Sequence, residues 1–246
     1  MKLFPVHDYP PPVQAWHVPV SKLNFADYMD DTWDLTMKKV VSQIDGVKDI
    51  RLIAHSADVS LNLTKIAIRH LLFYKSVLML DMFLFGNIYA PTPDMVTFIS
   101  RPEMQQECEE YVWHGPRVTG VRFWLCRLFT SLTVGRTLKE WVMLHITQDN
   151  FNANEFVDVR RFIQFGIIKG LIHRVHAYPV SSEYITTGKN PKGNGNGIGN
   201  GNEAWLKYVD GCHCFDQITV ERNMVQAKIV DQLKKFPKGD VEVIYR

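Results

Sequence analysis

Cysteine is scarce in this chain, with four in 246 residues. So few cysteines in a chain of this length exclude a disulfide framework and imply a reducing compartment. An excess of either charge is also missing: 28 Lys and Arg stand against 26 Asp and Glu, a net charge of +2. That balance gives no footprint for nucleic acid or an anionic membrane. Uninterrupted apolar runs are absent too. The most apolar stretch, "LLFYKSVLMLDMFLFGNIY", is broken by Lys75 and Asp81, short of the 18 or so residues a bilayer span requires, so it reads as core. The start, "MKLFPVHDYPPPVQAW", lacks the apolar segment of a signal peptide. A cytosolic protein, at most peripheral on a membrane, is expected.

What is present is helical periodicity. To about Tyr28 the chain is proline-rich and extended; Trp16, Val18 and Val20 alternate as in a short strand that Pro19 confines to an edge. "WDLTMKKVVSQID" then places Leu35, Val40 and Ile44 on one side, with Gly46 as the exit, and "IRLIAHSAD" predicts a second helix. "SLNLTKIAIRHLLFYKS" opens on the cap residue Ser60 and repeats Leu63, Ile66, Ala67, His70, Leu71 and Tyr74 at three and four. Ile68, Leu72 and Phe73 widen that face, leaving Asn62, Lys65 and Arg69 as the polar stripe. The run "VLMLDMFLF" follows with strand character. Three helices and then strands form a winged-helix pattern.

The ending recurs. "FIQFGIIKGLIHRV" runs a helix into Lys169-Gly170-Leu171, 94 positions after Lys75-Ser76-Val77, with Leu171, His173 and Val175 alternating. A shorter version, "VQAKIVDQLKKF", "PKGD" and "VEVIY", closes the chain. The expected fold is mainly α with small β wings (α+β), built from tandem winged-helix-like units behind a proline-rich extended connector. The expected divisions are 1–30 (connector), 31–100 and 101–186 (two units), 187–204 (a disordered Gly/Asn-rich loop) and 205–246 (a C-terminal helical and wing unit). Two phosphate-binding motifs fail in that loop. Gly188-Lys189 is followed by Asn190, with Glu183 where the first glycine of a P-loop belongs, and Gly197 and Gly199 meet Asn202 where a dinucleotide fingerprint needs glycine.

The strongest candidate for chemistry is "DGCHCFDQI". Zinc needs four ligands, usually in two pairs, but Cys212 and Cys214 are one residue apart and no second pair exists; Cys108 and Cys126 are isolated in predicted helices. A disulfide between Cys212 and Cys214 would be strained. The stretch reads instead as a helix start: Gly211 turns the chain, the polar residues after it satisfy free backbone amides, and Phe215 and Ile218 point inward. His173 and His176, flanking Arg174, face opposite sides and are not a joint metal site. No catalytic residue, cofactor site or metal site is expected. Trp33, Trp113, Trp124 and Trp141 read as core and interface. Nucleic acid is the alternative that winged helices raise, yet Arg160 and Arg161 are flanked by Glu155 and Asp158, a thin basic footprint.

Four blocks in order, "TWDLTMKKVVSQIDGVKDIRLIAHSADVSLNLTKIAIRHLLFY", "NIYAPTP", "RRFIQFGIIKGLIHRVHAYPV" and "DGCHCFDQI", resemble the C-terminal half of the nitrogen permease regulator 2-like family, from about Phe4 to the last strand. The resemblance implies a subunit of a GATOR-type complex (SEACIT in fungi), assembled with a nitrogen permease regulator 3-like paralogue and a large DEP-domain subunit. That complex acts on Rag-family GTPases at the vacuolar or lysosomal surface and restrains TOR signalling when amino acids are scarce. The family's arginine finger lies in an N-terminal longin domain, so the resemblance assigns it to no residue here, Arg69, Arg160 and Arg161 included. A non-catalytic scaffold is expected, touching the membrane only through the complex. The family pattern reads Gly-Cys-His, a variable residue, an aromatic and an acid, which puts Cys214 at the variable position. The connector and "NIYAPTP" are the expected interface, since extended strands can add to a partner's sheet; the residues named are Pro11, Pro12, Trp16, Val18, Ile88 and Tyr89.

Overall fold

A computed structural model describes residues 9–114, 120–148, 156–182, 186, 205, 207–234, 236 and 241–246. The expected loop 187–204 and the turn "PKGD" lie outside these. The described residues form a mixed helical fold with small antiparallel strand pairs, an α+β protein. No helix among them is long and apolar enough to cross a membrane.

The chain divides into two compact units, Met1–Met82 with Asp216–Ile229, and Phe83–Phe215 with Val230–Arg246. The first contains β1 (Val18–Ser21), α1 (Leu35–Val41), α2 (Ile50–Ser56), α3 (Leu61–Phe73) and β2 (Val77–Leu80). Each helix starts on a polar residue that accepts a free amide of the first turn: Asp34 from Met37 at 3.4 Å, Asp49 from Leu52 at 2.6 Å and Ser60 from Leu63 at 3.4 Å. The core joins Val40, Val41, Ile50, Ile53, Ala67, Ile68 and Leu71 to Phe25 and Val77. Thr64 is buried among them, and its hydroxyl is satisfied by donating to the Ser60 carbonyl at 3.1 Å.

β1 and β2 pair antiparallel, with Val18 opposite Leu80 and Ser21 opposite Val77. The strand after α3 thus takes its partner from ahead of α1. Because β1 offers only four residues, the expected strand over "VLMLDMFLF" ends at Leu80. Leu35, read as sharing one side of α1 with Val40, is exposed, while Val40 is fully buried.

The second unit contains β3 (Ile88–Pro91), α4 (Met95–Ser100), α5 (Pro102–Val112), α6 (Val121–Thr130), α7 (Leu138–Gln148), α8 (Val159–Ile168), β4 (Ile172–Val175), β5 (Ala177–Ser181) and β6 (Val241–Tyr245). Phe98, Leu125, Phe129, Trp141, Phe162 and Ile163 lie at its centre, with Phe129 and Phe162 stacked at 3.9 Å. α7 opens on a reciprocal cap: the Thr137 amide donates to Glu140 at 2.9 Å and the Glu140 amide to the Thr137 hydroxyl at 3.3 Å. β3 pairs with β4, Ile88 opposite Val175, and β5 pairs with β6, Ala177 opposite Tyr245. The division expected near residue 100 therefore falls between Met82 and Phe83, because β3 belongs with β4. The C-terminal residues are shared out: α9 (Phe215–Arg222) falls in the first unit but for Phe215, the boundary after Ile229 divides α10 (Gln226–Leu233), and β6 lies in the second.

The recurrent helix ending is real, with a shifted register. The Ser76 amide donates to the Leu71 carbonyl at 3.0 Å and the Leu171 amide to the Gly166 carbonyl at 2.8 Å, the long-reach bond of a Schellman cap. The left-handed residue is Lys75 in the first case (φ 55°) and Gly170 in the second (φ 71°). Lys75 thus matches Gly170 rather than Lys169. The expected alternation also shifts: Ile172 and Val175 are buried and His173 faces out.

Candidate functional site

α3 buries one arc and exposes another, and both are apolar. Thr64, Ala67, Ile68 and Leu71 face the core. Leu63, Ile66 and Tyr74 are 51%, 52% and 54% exposed, and His70 is exposed between them. At 100° per residue these four lie along one stripe, roughly a third of a turn around the helix from the buried arc. Asn62, Lys65 and Arg69 form the polar stripe on the far side, as expected from the sequence. Leu63, Ile66, His70 and Tyr74, read from the sequence as one face with Ala67 and Leu71, are surface residues, while Ala67 and Leu71 are buried. The physical reason is width: α1 and α2 cover only one side of a helix whose apolar residues span more than half of its circumference.

Grooves flank the stripe, each lined within the first unit. A cavity of about 480 Å³ is lined by Leu23, Phe25, Tyr28, Trp33, Met37, His70, Leu71 and Tyr74, with Asp34 and Ser76 at its polar positions. Asp34 is the cap of α1, so its carboxylate is already directed at a backbone amide. His70 and Tyr74, stacked at 5.1 Å, form a ridge beside it. Beyond them a shallower groove of about 370 Å³ runs between Tyr9-Pro10 and Ile66, Arg69, Phe73 and Tyr74. It continues over Pro12, Val13 and Lys65, and Arg69 lies over the Tyr9 ring at 6.0 Å. The proline-rich segment thus forms a wall of the groove. It is pinned farther on, where Ile50 and Arg51 donate to the carbonyls of His17 and Ala15 at 3.0 and 3.2 Å, which satisfies free amides at the start of α2.

The interface residues expected from the sequence separate into two groups. Pro11 and Pro12 are exposed, and Trp16 is half-buried with its ring edge-on to His17. Val18, Ile88 and Tyr89 are buried. Val18 is enclosed in the β1–β2 pair, and Ile88 packs with Ala90 and Val175. Tyr89 lies in the second unit's core, its hydroxyl 3.1 Å from the Asn87 amide. "NIYAPTP" is occupied within the chain: Arg174 donates to Asn87 at 2.8 Å and the Thr92 amide donates to Leu171 at 2.8 Å. Side chains spent this way cannot also face a partner, so these three leave the set.

The family model for nitrogen permease regulator 2 matches residues 1–121 and 114–237. The chain belongs to the nitrogen permease regulator 2 family. It is 34% identical over 246 residues to the nitrogen permease regulator 2 homolog of Schizosaccharomyces pombe, covering 99% of this chain and 54% of that protein. It is 30% identical over 182 residues to the Drosophila melanogaster GATOR complex protein NPRL2, covering 73% of this chain and 42% of that one. Over 113 residues it is 37% identical to nitrogen permease regulator 2 of Saccharomyces cerevisiae, covering 46% and 18%. The chain spans about half the length of the two more broadly matching relatives.

"DGCHCFDQI" is a turn built on Asp210. Its carboxylate accepts the Cys212 amide at 2.9 Å and lies 2.8 Å from His213 Nδ1. The acceptor precedes the turn, whereas the sequence placed the capping groups after it. Gly211 takes a φ of 73°, and a Cβ there would meet Val180 at 2.9 Å. Phe215 and Ile218 are buried as expected, and Tyr208 meets the His213 ring edge-on. Among the described residues no three His, Cys, Asp or Glu side chains are placed to hold a metal ion. Burial pushes the Cys108 and Cys126 thiols up, the reverse of what a nucleophile needs.

Proposed function

We propose that this chain is the assembly region, without catalytic residues of its own, of a GATOR-type complex subunit (SEACIT in fungi). In this reading it binds a nitrogen permease regulator 3-like paralogue and a large DEP-domain subunit. The complex then acts as a GTPase activator on Rag-family GTPases at the vacuolar or lysosomal surface and restrains TOR signalling when amino acids are scarce. Family membership and the name of the Drosophila relative support it. The observation that carries it is the outward stripe Leu63, Ile66, His70 and Tyr74 with its flanking grooves. Contiguous apolar surface of this kind on a folded protein marks an interaction site.

The helices that end in short strands serve here as winged-helix-like units adapted to packing rather than to nucleic acid. Apolar side chains fill an exposed arc of α3 beside the polar stripe Asn62, Lys65 and Arg69, whereas a DNA-reading helix presents polar groups to base edges. Pro12 extends the same surface along the connector, with the exposed Pro11 beside it in sequence. Sedimentation of the chain mixed with the C-terminal half of the paralogue tests the reading. Stoichiometric co-sedimentation is expected; two independently sedimenting species, with the large subunit also present, would overturn it.

A further inference from the structure

We infer that the exposed apolar stripe of α3, with the groove between it and Tyr9–Pro10, receives an acidic amphipathic helix of a partner protein. Its apolar side chains would seat along Leu63, Ile66, His70 and Tyr74, and its carboxylates would reach Lys65 and Arg69. The inference rests on the assembly reading and deepens it by naming the chemistry of the occupant.

Spacing argues for a helix. The exposed side chains recur at three, four and four residues, one per turn, along about 16 Å of α3 at 1.5 Å per residue. A stripe of that form is the ridge that packs into the grooves of a second helix at 8–10 Å. An extended strand would need a free backbone edge, and α3 has none to give.

Charge argues for acid. Lys65, Arg69 and His70 line the grooves on the Tyr9–Pro10 side, and no carboxylate lines them. Neither Lys65 nor Arg69 is among the ion pairs formed between described residues. Arg69 lies over Tyr9, itself 80% exposed. A guanidinium over an aromatic ring at the rim of an apolar groove presents its remaining N–H donors outward, the geometry a carboxylate matches. A second copy of this α3 packed antiparallel across a dyad would instead bring Lys65 and Arg69 to the same flank as their counterparts, like charge beside like.

The test is a displayed library of 16-residue peptides selected on the full 246-residue chain. Counter-selection uses the Ile66→Asp variant, with folding of the variant checked by circular dichroism. Selected sequences should carry leucine or aromatic residues at helical spacing with aspartate or glutamate on one flank. They should bind the Ile66→Asp chain about 30-fold more weakly or worse, the scale of losing a hot-spot residue. Arg69→Glu should weaken them as well, and peptides with lysine in place of the acids should regain binding to that variant. Selected peptides that are basic, that bind Ile66→Asp equally well, or that never rise above background would overturn the inference. So would self-association abolished by Ile66→Asp, which would make a second copy the occupant, or duplex DNA binding abolished by Arg69→Glu. If peptide selection fails while co-sedimentation with the paralogue holds, the occupant is wrong and the assembly reading stands. The reverse pattern overturns the assembly reading alone.

Discussion

Ile66 and Ile68 are two residues apart on α3, yet Ile68 is fully buried and Ile66 is 52% exposed. The same side chain therefore has opposite consequences at the two positions. Ile68→Ala should cost about 2–5 kcal/mol, the range for truncating a buried aliphatic side chain and leaving its cavity. Ile66→Ser should change stability by no more than about 0.5 kcal/mol. Urea unfolding of the two variants checks this, and equal losses would mean that Ile66 belongs to the core.

The Trp141 indole donates to Ser131 Oγ at 2.7 Å, and the Ser131 hydroxyl donates in turn to the Leu128 carbonyl at 2.8 Å. Its remaining lone pair faces His145 Nε2 at 2.9 Å, and a hydroxyl offers one donor and two acceptor sites, so the oxygen is saturated. Trp141 and His145 are both buried. Ser131→Ala should therefore cost about 1–3 kcal/mol, the penalty for leaving a buried donor unpaired. An unfolding midpoint unchanged from wild type would show that water takes over the hydroxyl's role.

Gly166 lies within α8, where alanine is ordinarily better by about 1 kcal/mol. A Cβ at this position would meet Ile172 Cδ1 and Phe129 Cε1, each at 2.8 Å. Overpacking of a tight core costs about 1–3 kcal/mol, so the clash outweighs the propensity. Gly166→Ala should lower the melting temperature; a rise would mean that Ile172 moves aside at no cost.

Asp210 links the turn before α9 to pH. Partial burial pushes its carboxyl up, but the His213 hydrogen bond, the Cys212 amide and the His213 charge together hold it below the usual 3.8. A group lowered in the folded state contributes stability above its unfolded value and loses it as pH falls through the folded value. The contribution is thus complete above about pH 4 and fades below it. Urea midpoints taken from about pH 5 down to about pH 2.5 should fall more steeply for wild type than for Asp210→Asn. The other titrating carboxylates are common to both proteins and cancel, so parallel curves would contradict the assignment.

Local signals were legible where one residue decides one bond. Ser60 marks the start of α3 because it caps the helix, and Gly170 marks an end because it turns left-handed; Asp158, read only as an acid beside Arg160 and Arg161, proves to be the cap of α8. Pairing was not legible, since β1 meets β2 and β3 meets β4 across dozens of residues, and four-residue strands carry little pattern to specify a partner. That distance hid the burial of Val18, Ile88 and Tyr89. For α3 the pattern showed that residues were apolar without showing which arc the neighbours would cover. Ile66 and Ile68 are indistinguishable by composition, and only the placement of α1 and α2 separates them. The excess apolar width of α3 was the one signal in the sequence that pointed to a second, outward face.

Sedimentation velocity of wild-type and Ile66→Asp chains, each mixed with the paralogue and the large subunit, tests the central claim most directly. The wild-type chain should co-sediment with these two proposed partners, and Ile66→Asp should sediment apart from them while its thermal melt stays at the wild-type value. Co-sedimentation of both chains would contradict assembly through the outward face of α3.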